Sequence, residues 1–273
     1  MRRAITLMLL IASPLVMADE RPQPAPSAGA KATAVAVAEG KTYVRDLREI
    51  SFAPAHWKQR QWLHFAEGAT AVAVMYTLDE RLYRNAQNHR SAFTNDFAKM
   101  LTPFGGRRAE IISVALIGSG LWLHDNEVRD AGRDSLESEI LAGGLVTPLL
   151  KRAFGRARPS QDAGAHSFTP FSSGHESFPS GHATNAFACA TAIAAHSDGW
   201  LVPTVAYTLA TGVAFSRVND RAHFPSDVLA GALIGRAIAK SVVHQRHSAR
   251  ASWSIEPAFL AGHPGLAIHV TTR

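Results

Sequence analysis

The sequence predicts an all-α fold, a bundle of about six main helices with a short C-terminal β tail. Three observations predict it. From about Trp57 onward, apolar segments recur, the last of them at helical spacing, and no segment alternates convincingly until after Ser252. The 273 residues are 47% hydrophobic and 18% charged, which supplies a core and excludes global disorder. Cys189 stands alone, so neither an intramolecular disulfide framework nor a cysteine-based zinc cluster holds the chain together.

Taken in order, the first element is a targeting segment. Arg2 and Arg3 precede the apolar run Ala4–Val16, and Val16-Met17-Ala18 is followed by Asp19-Glu20, the layout of a signal peptide over residues 1–18. The run is shorter than the ~20 residues of a spanning helix, which favours cleavage after Ala18 over retention as an anchor. Either outcome exports the chain, and a periplasmic location is expected. Cleavage removes two arginines and takes the formal charge from +6 to +4. Residues 19–55 hold Pro22, Pro24 and Pro26, then alanine-rich text without apolar periodicity, and read as a flexible linker.

The domain proper is expected over residues 56–246. Its six helices are Trp62–Leu78, Ile111–Leu123, Glu139–Phe154, His182–Ala195, Leu201–Phe215 and Asp227–Val243. In the last of these Val228, Leu229, Leu233, Ile234, Ile238 and Val242 recur at a helical spacing. The link from His124 to Glu139 carries more acids than bases and gives no positive-inside signal. The tail, residues 247–273, reads as two strands, Ser252–Leu260 and Gly265–Thr271, around a Gly-His-Pro-Gly turn. Because the helical runs are at or below the ~17–25 residues of a membrane span, a soluble or peripheral bundle is the expectation, with an integral inner-membrane protein as the alternative. Trp57, Trp62, Trp122, Trp200 and Trp253 fit either a membrane interface or a core.

The positive charge is mostly arginine, with only six lysines among 28 basic residues. That balance suits phosphate, anionic lipid or nucleic acid. No basic–aromatic interleaving or groove-reading motif appears, so no nucleic-acid partner is expected.

Three segments carry chemistry. Lys151 sits near a helix C-terminus, with Arg158-Pro159 one loop later. Pro179-Ser180-Gly181-His182 opens an apolar helix, whose N-terminus with its free N–H groups is a ready anion site. Ser216-Arg217 is followed by His223 and Asp227, with Asp227 in reach to accept from one imidazole nitrogen and leave the other neutral and nucleophilic. Each segment alone has an ordinary explanation: a cation favoured at a helix end, a helix cap, a helix entry. Together they supply three cations, a helix N-terminus and two histidines, the set that phosphoryl transfer needs.

Lys-x6-Arg-Pro, Pro-Ser-Gly-His and Ser-Arg-x5-His-x3-Asp, in this order, resemble the signature of the type 2 phosphatidic acid phosphatase (PAP2) superfamily, which includes bacterial class A acid phosphatases and vanadium haloperoxidases. The signature spans residues 151–227, with looser similarity through 96–106 and 138–150 and along the last helix. The resemblance implies that Lys151, Arg158 and Arg217 hold the phosphate oxygens, with Ser180 and the Gly181 N–H completing the cradle. It implies that His223 attacks phosphorus to form a phosphohistidine, that Asp227 orients it, and that His182 protonates the leaving alcohol and then activates water. No metal or other cofactor is implied. The substrate is expected to be a lipid phosphate or a small exported phosphoester, with membrane-surface contact as a further option. Transfer to an acceptor other than water, and vanadate-dependent halide oxidation, are the alternatives. The haloperoxidases are larger chains, which disfavours the last.

Other residues are left outside the site. His166 and His175 border it in a Ser/Gly/Phe-rich loop and read as solvated. His124, His244 and His247 lie near helix ends and read as caps or surface. Arg156 and Arg221 lie between fixed signature positions, where each either touches substrate or faces solvent. Cys189 reads as core packing.

Overall fold

A computed structural model describes residues 4–9, 48, 53–250, 253–260 and 263–271. The chain forms two compact units, Leu47–Val243 and a second made of Met1–Asp46 with His244–Arg273.

The large unit is helical. Helix α1 (Gln59–Asn88) runs ten residues past its expected end at Leu78. The extension begins with Asp79-Glu80-Arg81, charged text that reads as a helix end but includes a fully buried carboxylate. A capping box between Ser91 and Thr94 starts α2 (Ala92–Leu101). Helix α3 (Arg107–Leu123) ends on His124 in the left-handed region, which confirms that histidine as a cap.

The acidic link after His124 is itself a helix, α4 (Asn126–Glu139), capped by Asp125 through the Glu127 and Val128 amides. Hydrophobic periodicity misses it because its inward face is polar. Asp130, Asp134, Glu137 and Glu139 are buried there. His196 donates to Asp134 at 2.8 Å, and Ser113 and Ser135 donate to Glu139 at 3.0 and 3.2 Å. Burial raises the Glu139 carboxyl to about 7. From α4 the chain continues through a π-helical stretch, Ile140–Val146, into α5 (Thr147–Phe154).

Helix α6 (Gly181–Ala195) packs against α4 and α7 (Leu201–Asn219). Its alanines form the core: Ala188 with Leu141, Ala142, Ile238, Ala239 and Val242 on one side, and Ala186 and Ala190 with Ala210 and Val213 on the other. Helix α8 (Pro225–Arg250) approaches α6 closely enough that a Cβ at Gly231 would lie 2.5 Å from the Ser180 carbonyl. Cys189 is buried beside Glu139, and its thiol is pushed up to about 12, chiefly by burial.

Small residues fill the interior while large apolar ones face outward. Trp62, Trp122 and Trp200 are 47%, 80% and 78% exposed, so these three indoles are surface and not core. Leu63, Phe65 and Val74 on α1, Ile111 and Val114 on α3, and Leu201, Val202 and Val205 on α7 join them. So much exposed apolar area marks an interaction surface. Among the described residues α7 alone is long and apolar enough to cross a membrane, by length and composition.

In the second unit three strands pair antiparallel in the order β1-β3-β2: β1 (Ala4–Leu9), β2 (Trp253–Leu260) and β3 (His263–Thr271). The two strands expected in the tail are thus present, joined by a third from the apolar run near the N-terminus. Ala18, the expected cleavage point, and all of the expected linker except residues 48 and 53–55 lie outside the described residues.

Candidate active site

The three signature segments come together where α5 ends and α6 and α8 begin. Gly155, at φ +58°, terminates α5 in a conformation suited to glycine, and a Cβ there would also meet the Thr169 carbonyl. The chain then turns to present Arg156 and Arg158. Ser180 precedes α6, and its N–H donates to the Asp227 carbonyl at 2.9 Å, joining the second segment to the third. Arg217 projects from the last turn of α7, with Nη1 donating to Thr102 Oγ1 at 2.9 Å.

Electrostatics gathers the same groups. Burial is the first cause holding His223 well below its ordinary value, and Lys151, Arg158 and Arg217 follow. His182 is lowered to about 4 by burial, then by Arg217, Lys151 and Arg158. Lys151 is itself lowered to about 8, by burial and by Arg158, while its Nζ donates to the Glu176 carbonyl. Two neutral imidazoles therefore face three cations.

Two polar atoms in this group have no hydrogen-bond partner although they are buried: Ser180 Oγ and Arg217 Nε. Ser180 occupies the N-cap position, but its side chain makes no capping bond. Its hydroxyl is free for a ligand at the N-terminus of α6, which costs stability unless something accepts or donates there.

The orientation of His223 differs from the expected one. Its Nδ1–H donates to the Ser177 carbonyl at 2.7 Å, while Asp227 Oδ2 stands 3.9 Å away, beyond hydrogen-bond range. The Asp227 carboxylate is engaged elsewhere. It accepts from Arg156 Nη1 at 2.5 Å, Ser177 Oγ at 2.6 Å and the Phe224 N–H at 2.8 Å. Asp227 is thus linked to His223 through Ser177, whose hydroxyl it binds and whose carbonyl binds the imidazole. The outcome for the ring is unchanged: with acceptors on the Nδ1 side, the proton resides there and the Nε2 lone pair is free.

Arg156 neither touches the cradle nor faces solvent, contrary to both options the sequence left open. It is fully buried between Asp79 and Asp227, at 2.7 and 2.5 Å, and its guanidinium lies over the rings of Phe224, Tyr76 and Phe168. Arg221 is tied to Tyr83 and Asp162. His166 packs edge-on against Tyr76. Asp79 and Ser177 were not anticipated. Asp79 lies far outside the signature, and Ser177 contributes a backbone carbonyl, which no residue type announces.

A sequence profile of the PAP2 superfamily matches residues 135–251, which covers every signature position. The signature-bearing region, residues 135–251, is of the PAP2 type. Among curated PAP2 relatives, a lipid A 1-phosphatase of Rhizobium etli is 46% identical over 105 residues, 37% of this chain and 44% of that protein. A probable diacylglycerol pyrophosphate phosphatase of Schizosaccharomyces pombe is 33% identical over 135 residues, 37% of this chain and 48% of that one. The chain therefore spans less than half the length of these relatives. The crystal structure of a transmembrane PAP2 type phosphatidylglycerolphosphate phosphatase from Bacillus subtilis matches with a TM-score of 0.51 and 26% identity, covering 68% of this chain and 94% of that one. About two thirds of the chain thereby shares its helical fold with that structure.

Proposed function

We propose that this protein is a phosphatase that hydrolyses the phosphate monoester of a lipid, through a phosphohistidine on His223 and without a metal. The observation that carries the proposal is the pairing of two neutral imidazoles with three cations, beside an unpartnered Ser180 hydroxyl and an unpartnered Arg217 Nε. Phosphate supplies what these groups lack: oxygens to accept from Arg217 and Ser180, and negative charge to offset Lys151, Arg158 and Arg217.

In the first step His223 Nε2 donates its lone pair to phosphorus, and the P–O bond to the alcohol breaks. His182 gives the departing oxygen its proton. In the second step His182 takes a proton from water as the water oxygen attacks phosphorus. The P–N bond breaks and phosphate leaves. The three cations stabilise the equatorial oxygens throughout.

The lipid substrate class is supported by the relatives' names, a lipid A 1-phosphatase and a diacylglycerol pyrophosphate phosphatase. It is also supported by the exposed apolar faces of α1, α3 and α7, which would keep the protein in contact with a membrane. We place its action on the outer side of the inner membrane, consistent with the basic, apolar N-terminal segment. The test is phosphate release from purified protein, comparing lipid phosphates in mixed micelles with soluble monoesters. Preference for the micellar substrates is expected, and equal or better turnover of soluble esters sinks the lipid assignment.

The pH dependence follows from the shifts. Protonation removes the His223 lone pair only well below its ordinary value, so the acid limb of kcat/KM lies well below pH 6.5. Lys151 loses its charge as pH rises through about 8, which weakens the cradle and sets a basic limb there. His182 is neutral in the free site above about pH 4, so the acid proton must accompany the substrate. An arriving phosphate can do this, because it offsets the cations that hold His182 down. A kcat/KM that does not fall at any pH below 6.5 would count against His223 as the nucleophile, and one that stays level through pH 8 to 9 would count against Lys151 in the cradle.

A further inference from the structure

We propose that Asp79 is a positioning residue for the nucleophilic histidine, holding the N-terminus of α8, and with it the His223 turn, through Ser226 and Arg156. The inference rests on His223 being the nucleophile, as proposed above.

The starting point is a defect in how α8 begins. Pro225 is its first residue, so the N-cap position falls to Phe224, whose side chain has no acceptor for the first-turn amides. Two aspartates make good the deficit. Asp227, at the third helical position, turns back to accept the Phe224 N–H at 2.8 Å, the acidic half of a capping box. The other half comes from a distant helix: Asp79 Oδ1 on α1 accepts the Ser226 N–H at 2.8 Å, across 147 residues of sequence.

The second oxygen of Asp79 ties the turn to the signature. Asp79 Oδ2 accepts from Arg156 Nη2 at 2.7 Å and from Ser226 Oγ. Arg156 Nη1 in turn donates to Ser226 Oγ at 2.8 Å and to Asp227 Oδ1 at 2.5 Å. Asp79, Arg156, Ser226 and Asp227 are all fully buried. One guanidinium is thereby clamped between two carboxylates under a roof of three rings, and it fixes the side chain of Asp227.

From Asp227 the chain of contacts reaches the reacting atom. Asp227 Oδ2 accepts from Ser177 Oγ at 2.6 Å, and the Ser177 carbonyl accepts from His223 Nδ1 at 2.7 Å. Asp79 therefore sets where the Nε2 lone pair points without touching substrate. Its hydrogen bonds go to Arg156 and Ser226 and not to Lys151, Arg158 or Arg217. A change at Asp79 should accordingly alter attack more than phosphate binding.

The experiment compares Asp79→Asn and Ser226→Ala with the wild type on a chromogenic aryl phosphate, with inorganic phosphate as competitive inhibitor and thermal melts as a folding control. Asp79→Asn keeps the shape and removes the charge. It is expected to lower kcat about 100-fold, the scale of a misplaced reacting group, while the phosphate inhibition constant stays within about threefold. Ser226→Ala removes the hydroxyl bridging Asp79 and Arg156 but keeps the backbone N–H, and is expected to lower kcat about tenfold with the same unchanged inhibition constant. Wild-type kcat in folded Asp79→Asn overturns the proposal, and so does an equal loss in phosphate affinity, which would mean a general structural role. If Asp79→Asn does not fold, Ser226→Ala decides, and wild-type kcat there overturns it. His223→Ala separates this inference from the reading beneath it. Turnover in that variant removes the nucleophile assignment, whereas an inactive His223→Ala beside a fully active Asp79→Asn removes the positioning role alone.

Discussion

His223→Ala is expected to lower turnover by about four orders of magnitude or more and to abolish the covalent phosphoenzyme. The size follows from what is lost. Lys151, Arg158 and Arg217 would still gather the phosphate, but no group would remain in line to take it. The variant should fold, because the ring gives up one hydrogen bond, from Nδ1 to the Ser177 carbonyl, at a cost of about 1–3 kcal/mol. Rapid quench into base with labelled phosphate ester measures the intermediate directly, since the P–N bond survives alkali. His182→Ala gives the contrasting result. With an aryl ester, whose leaving group needs little help, the first step proceeds and the second lacks its base, so labelled phosphoenzyme should accumulate. Label on protein in His223→Ala, or none in His182→Ala while turnover persists, would reverse or remove the assigned roles.

The two histidines were legible from sequence as candidates because each lies in a short segment with its own neighbours, His182 at a helix start after Ser180-Gly181 and His223 four residues before Asp227, while the roles proposed for them came with the family resemblance. What joins the segments was less legible. The acceptor for His223 Nδ1 is a backbone carbonyl, and Asp227 is 3.9 Å away because Arg156, Ser177 and Phe224 hold its oxygens. A spacing of four residues gives proximity but not which of several acceptors wins. Asp79 was invisible for a different reason: 77 residues separate it from Arg156, and nothing in its neighbourhood on α1 distinguishes it from Glu80.

The fold divides along a similar line. Helices with an apolar stretch, such as those around Ile111–Leu123 and Leu201–Phe215, were found. Helix α4 was not, because Asp130, Asp134, Glu137 and Glu139 face inward and reverse the usual contrast between buried and exposed sides. Contrast is weak throughout the bundle. The core is built from alanine and the outside carries Trp122, Leu149 and Phe93, at 80%, 60% and 77% exposure, so apolar residues occur on both faces. The same inversion bears on the hydrophobic fraction of the chain. Much of it does not serve a core at all, and lies where lipid tails could cover it.

Arg156→Met is expected to destabilise the protein by about 3–5 kcal/mol and lower its melting temperature by about 10 °C. Arg156 is enclosed by Phe224, Tyr76 and Phe168, so a methionine of similar length fits the space and the loss is one of charge. What remains is two buried carboxylates, Asp79 and Asp227, each without its cation and near enough to have shared one. Breaking a buried pair leaves the desolvation cost of the surviving charges without the attraction that offset it. The pH dependence identifies this cause. Burial already raises Asp227, and Arg156 is the first influence holding it down. Without that cation the folded Asp227 carboxyl titrates higher still, above its unfolded value. The contribution of Asp227 is then favourable at low pH and is lost as pH rises through the folded value. The melting temperature of the variant should therefore climb as pH falls from 7 toward 5, more steeply than that of the wild type. A variant that melts within a few degrees of wild type, or whose deficit does not change with pH, would mean that the Asp79–Arg156–Asp227 cluster is not held by its charges.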